Sequence, residues 1–119
     1  MNLQVFVYGT LMRGEHHHDV LAGAEFVHVA NTEPLYDLFR IDYYPALVHG
    51  GSTTVRGEVY RVGEAMLARL DELEEAPGYY EREWITLASG LRVQTYVMPR
   101  ERLHDASPIP SGDFRKQGG

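Results

Sequence analysis

The sequence predicts an α+β fold, a small mixed β-barrel or curled sheet flanked by one main helix and short helical turns. Three observations carry this. About six or seven short stretches read as β-branched and aromatic blocks or as apolar/polar alternation, each bounded by Gly, Pro, Asn or Ser. One stretch only, 64–75, changes to a helical period. The 119 residues suffice for one core and not for two, and no repeat, low-complexity tract or linker divides them, so a single domain over 1–119 is expected. Many short strands with one helix must cover themselves by curling.

Val5-Phe6-Val7-Tyr8 is a buried strand that stops at Gly9, where the missing Cβ allows a sharp turn or a close approach of backbone to another group. Residues 16–21 make one short helical turn before Gly23, and 24–30 alternate as a strand. A turn at 31–34 uses Pro34 to fix φ. Strands are expected at 35–41 and 46–48, then a turn at Gly50-Gly51-Ser52. Residues 55–62 form a strand with Gly57 as a bulge or a close approach. In the helix, Met66, Leu67, Leu70 and Leu73 share one face, and Pro77-Gly78 ends it. Residues 80–87 and 91–98 make a hairpin around Ala88-Ser89-Gly90. The remaining stretch, 100–119, carries Pro108, Pro110 and a Gly-Gly end without periodicity, and is expected as an irregular tail over the surface.

Composition narrows the function classes. Hydrophobic residues at 44% and charged residues at 24% are ordinary for a globular domain. The absence of cysteine excludes disulfides, thiolate catalysis and Cys-ligated metals. A net charge of −6, with basic residues scattered, argues against nucleic acid as a partner. No apolar run is long enough to span a membrane and no charged-then-apolar leader begins the chain, so a cytoplasmic protein is expected.

Two regions carry candidate chemistry. The Gly9-Thr10-Leu11 loop at a strand end can present free N–H groups, which bind carboxylate and carbonyl oxygens; a plain turn is the alternative. On the helix, Asp71, Glu72, Glu74 and Glu75 crowd the negative end of the dipole. At roughly 100° per residue, Glu74 falls inside the apolar arc, Asp71 lies at its border, and Glu72 and Glu75 point away. An inward carboxyl among like charges should have a raised pKa and could exchange protons near neutrality. Two other roles stay open for Glu74, a rim residue on a helix that ends at Leu73 or an ion-pair partner of Arg82. His16, His17, His18 and Asp19 have the chemistry of zinc ligands, but three adjacent histidines cannot converge on one ion from a regular element, and His28, His49 and His104 are isolated. No metal is expected.

Tyr8-Gly9-Thr10-Leu11, followed by Arg13-Gly14 and His18, resembles the signature loop of the gamma-glutamylcyclotransferase-like family, in particular its gamma-glutamylamine cyclotransferase branch. Leu70-Asp71-Glu72-Leu73-Glu74, followed by Pro77, Tyr80 and Arg82, is similar to its second motif. Weaker similarities lie at Tyr36-Asp37-Leu38, at Tyr44-Pro45-Ala46-Leu47-Val48, at Gly57-Glu58-Val59-Tyr60 and at 110–115, where Phe114 stands in for an aromatic that packs on the body.

The resemblance implies a small β-barrel with flanking helices, Glu74 as general acid/base, and Tyr8, Gly9, Thr10 and Leu11 as the substrate-binding loop. Tyr80 and Arg82 would stand behind them, and His18 would cap or brace the loop. The implied activity is cyclisation of a small-molecule gamma-glutamyl amide to 5-oxoproline with release of the amine, using no cofactor, no metal and no covalent nucleophile. A non-catalytic small-ligand-binding barrel is the alternative.

Overall fold

The structure, a computed structural model, describes residues 3–116. Eight strands form two sheets around one core. The larger, in the order β2-β5-β1-β7-β6, contains β1 (Leu3–Val7), β2 (Glu25–Asn31), β5 (Arg56–Val62), β6 (Glu81–Thr86) and β7 (Arg92–Val97). The smaller, β4-β3-β8, contains β3 (Tyr36–Ile41), β4 (Tyr44–His49) and the two-residue β8 (Ser107–Pro108). Among the described strands only β1 and β7 pair in parallel; the other ladders are antiparallel. Among the described residues no helix is long and apolar enough to cross a membrane.

The larger sheet curls until its two edges meet. An isolated bridge joins Thr32, just after β2, to Leu87, just after β6, and the Ala88 N–H donates to Asn31 O at 2.9 Å. The Met98 N–H donates to Leu47 O at 2.9 Å, tying the smaller sheet to the larger. Such closure leaves little open edge for another chain to pair with.

At the centre of the larger sheet, β1 has β5 and β7 as neighbours, and Val5, Phe6 and Val7 are buried. Gly57 serves the close approach: a Cβ there would stand 2.3 Å from Val7 O and 2.6 Å from Phe6 Cζ. The bulge lies instead in β2, between Phe26 and His28.

The helix α1 (Glu64–Glu74) buries Leu67 and Leu70. Leu73, expected on the same inward face, is 40% exposed, because the last turn stands at the mouth of a cavity instead of over the core. The helix ends one residue earlier than expected, with Glu75 in the left-handed region (φ 52°) and the Ala76 N–H reaching back to Asp71 O at 2.9 Å. This is a Schellman-type close.

The tail is more ordered than its sequence suggests. It contributes β8, paired to β3, and 3-10 helices at Arg100–Arg102 and Phe114–Lys116, and it buries Ile109 and Phe114. Each segment is too short to show a period, so the order is invisible in the pattern. The end of the expected tail, 117–119, lies outside the described residues.

Candidate active site

A cavity of about 410 Å³ opens where β1 ends, β4 begins and α1 stops. The end of β1 delivers Tyr8, Gly9, Thr10 and Leu11; β4 delivers Tyr44 and Pro45; the helix end delivers Leu73, Glu74 and Glu75. Tyr79 and Tyr80 come after the helix, and Tyr96 comes from β7. The volume is that of a small-molecule site.

The loop is held so that its carbonyls look inward on itself. Gly9 O accepts from Met12 N at 3.0 Å, Thr10 O from His17 N at 2.8 Å, and Leu11 O faces His18 Nδ1 at 2.9 Å. The N–H groups of Gly9, Thr10 and Leu11 have no acceptor among the described residues. Gly9 is required for contact: a Cβ there would lie 2.0 Å from Pro45 Cγ. Unbonded N–H groups on a cavity wall are costly unless water or a ligand oxygen accepts from them.

Glu74 is the last residue of α1, and its carboxyl group makes no hydrogen bond to any described residue. Burial pushes its pKa from 4.5 up to about 7. Of the other helix acids, Glu75 also borders the cavity, against the helical-angle expectation, because its left-handed backbone leaves the helix there; Asp71 turns elsewhere. Asp71 accepts from the Tyr96 hydroxyl at 2.6 Å and pairs with Arg82 Nη1 at 3.3 Å. The like charges and dipole expected to raise Glu74 are thus secondary to removal from water.

Three buried tyrosines complete the walls with their hydroxyls engaged. Tyr8 donates to Tyr96 O at 2.6 Å and accepts from the Leu47 N–H at 3.3 Å. Tyr80 donates to Pro45 O at 2.6 Å, and Tyr96 donates to Asp71. Burial pushes all three phenols above their usual range; neighbouring groups, Glu74 among them, add to it. They remain neutral near pH 7 and shape the cavity without titrating.

The structure therefore brings Tyr8, Gly9, Thr10, Leu11, Glu74 and Tyr80 to one cavity. Arg82 is not on it. Its guanidinium serves Asp71, which frees Glu74 from the ion pair that was its alternative partner. His18 braces the loop from behind through Leu11 O, its ring 5.8 Å from that of Tyr60. The histidine on the cavity is His17, with Nδ1 3.2 Å from Thr10 Oγ1 and its ring stacked on Tyr44 at 5.7 Å. His17, Tyr44, Tyr79 and Tyr96 have no signal of their own in the sequence, where a strand tyrosine reads as core.

The chain is similar to known proteins over most of its length. The family described as gamma-glutamyl cyclotransferase, AIG2-like, matches residues 5–116. A Vibrio cholerae protein that carries a provisional gamma-glutamylcyclotransferase name is 42% identical over 110 residues, covering 92% of this chain and 93% of its own. The zebrafish gamma-glutamylaminecyclotransferase A is 38% identical over 94 residues, 71% of this chain and 58% of that protein. The crystal structure of a protein specific to uropathogenic Escherichia coli superposes with a TM-score of 0.85 at 29% identity, over 98% of this chain and 94% of that one. The chain belongs to the AIG2-like gamma-glutamylcyclotransferase family.

Proposed function

We propose that this protein cyclises gamma-glutamyl amides to 5-oxoproline and releases the free amine, with Glu74 as general acid/base. The observation that supports this best is the pairing on one cavity of an unbonded carboxyl at a pKa of about 7 with the unbonded N–H groups of Gly9, Thr10 and Leu11. The zebrafish relative's name points to the amide class.

Glu74 as carboxylate takes one proton from the substrate's α-ammonium group. The free amine attacks the side-chain carbonyl carbon, forming the new C–N bond of a five-membered ring. Negative charge gathers on the carbonyl oxygen, where the loop N–H groups can receive it. Glu74 hands its proton to the leaving nitrogen as the old C–N bond breaks, and the carboxylate so regenerated takes the ring nitrogen's second proton and passes it to the released amine. Two protons leave one nitrogen and the departing amine, released as an ammonium ion, ends with two more. Because attack is intramolecular, the cavity's main task is to hold a folded conformer.

The test is Glu74→Gln, a nearly isosteric change. Mass spectrometry on a panel of gamma-glutamyl amides should find 5-oxoproline from the wild type and none from the variant, with ligand binding retained. Full activity in the variant refutes the role of Glu74. Binding by the wild type without any product would favour the ligand-binding alternative.

A further inference from the structure

A second network, outside the cavity, involves none of the groups used above. Glu58 lies on β5, directly opposite the last residue of β1, and its side chain is almost fully buried. Its Oε1 accepts from the backbone N–H of Arg13 at 2.9 Å and from the Tyr60 hydroxyl at 3.0 Å. Its Oε2 faces two guanidinium groups at 3.6 Å, those of Arg13 and Arg115. Arg115 also holds Glu15 Oε2 at 3.1 Å and donates to Arg13 O. One tail residue thus grips both ends of the segment just beyond Gly9-Thr10-Leu11.

We propose that Glu58 and Arg115 are positioning residues that hold the Gly9–Leu11 amides toward the cavity; the inference rests on the reading of that loop as the substrate grip. Three adjacent N–H groups left without acceptors are an unstable arrangement, since a loop free to relax would turn them to water or to its own carbonyls. It persists only if the segment beyond is fixed. Bracing by His17 and His18 fixes Thr10 and Leu11 from one side, and the Glu58 cluster fixes Arg13 from the other. A buried ion cluster is a poor general device for stability, because packed apolar side chains do as well. Its distinctive property is directional geometry, which is what a backbone-amide site needs.

The tail does not depend on Arg115 for its own seat. The Arg56 N–H donates to Gly112 O at 2.8 Å, Gly112 fits where a Cβ would strike Thr54 O at 1.9 Å, and Phe114 is buried. Removing the guanidinium should therefore release residues 13–15 without releasing the tail.

The experiment compares the full-length wild type with Arg115→Ala, Arg115→Lys and Glu58→Gln. For Arg115→Ala we expect kcat/KM for a gamma-glutamyl amide to fall about tenfold, shared between KM and kcat, because the loop amides would hold substrate oxygens and also receive the charge that develops on the carbonyl. The thermal midpoint should move little, and amide hydrogen exchange should quicken at Met12 and His17, whose N–H groups hold Gly9 O and Thr10 O, but not at Val5 and Phe6. Lysine should restore part of the loss, since an ammonium lacks the fork that spans several acceptors. Glu58→Gln, which keeps an acceptor for Arg13 but removes the charge, should act in the same direction. Unchanged kcat/KM and exchange in Arg115→Ala overturn the proposal, as does a loss of activity that merely tracks the folded fraction. If the wild type releases no 5-oxoproline, the reading of function fails instead, and the exchange rates at Met12 and His17 still decide this inference.

Discussion

Residues 9–11 and the end of α1 line the same cavity but are held in opposite ways. In the loop, nearly every polar atom that does not face the cavity has a named partner, and Gly9 is pressed against Pro45. Glu74 has no hydrogen-bond partner among the described residues; it is placed by the helix backbone and tuned by loss of water. The loop is a site made of geometry, and Glu74 is a site made of environment. Substitutions should separate the two.

The largest effect is expected at Glu74. Removing the proton carrier should lower kcat by about 10³-fold or more, within the range for general acid/base groups. The same change should stabilise the protein at alkaline pH. The folded pKa of about 7 lies above the ordinary 4.5, so the folded state carries no penalty below pH 4.5, loses stability as pH rises through that window, and bears the full penalty above 7. Glutamine bears none. Urea titrations at pH 8 should show Glu74→Gln ahead of wild type by up to about 3 kcal/mol, with the gain gone near pH 4.5. A variant no more stable at pH 8 would mean the carboxyl is not desolvated.

Gly9→Ala attacks geometry instead. The new Cβ would meet Pro45 Cγ at 2.0 Å, so loop and strand must part. About 1–3 kcal/mol of stability should be lost by overpacking, and kcat/KM should fall by about 10²-fold, as expected for a roughly 1 Å misplacement. The pH dependence should keep its shape. In the wild type, kcat/KM should drop about tenfold per pH unit on the acid side as Glu74 takes up its proton, with a midpoint near 7. A Gly9→Ala profile with a displaced midpoint would show that loop and acid are not separable.

The same contrast accounts for which parts of the molecule are legible in the sequence. The helix is legible because burial imposes a period on it, β1 because it is a short apolar run ending in glycine, and the 80–98 hairpin because Ala88-Ser89-Gly90 marks its turn. Glu74 can be singled out from four acids because its angle on the helix is arithmetic, and Gly9 because a glycine at a strand end marks a turn or a tight backbone contact. The cavity's tyrosines are not legible: Tyr80 and Tyr96 differ from core tyrosines only in which carbonyl or carboxylate their hydroxyls reach. Nor is the choice of His17 over His18, which depends on how one helical turn is rotated. The role of 107–116 depends on pairing to β3 and on ion pairs spanning about a hundred residues of sequence, as between Arg115 and Glu15, and no local pattern encodes these.

The smallest effect tests the cause of Glu74's behaviour. Its neighbour Glu75 sits in the left-handed region at the negative end of the helix, where glycine would be preferred on both counts. Glu75→Gly should stabilise the protein by about 1 kcal/mol, read from the thermal midpoint at fixed pH. It also removes a charge adjacent to Glu74. If burial alone raises the Glu74 pKa, the acid limb of kcat/KM in this variant should still turn near 7. A limb moved toward 4.5 would show instead that crowded carboxylates set the pKa, and the contrast between a loop governed by contacts and an acid governed by desolvation would have to be redrawn.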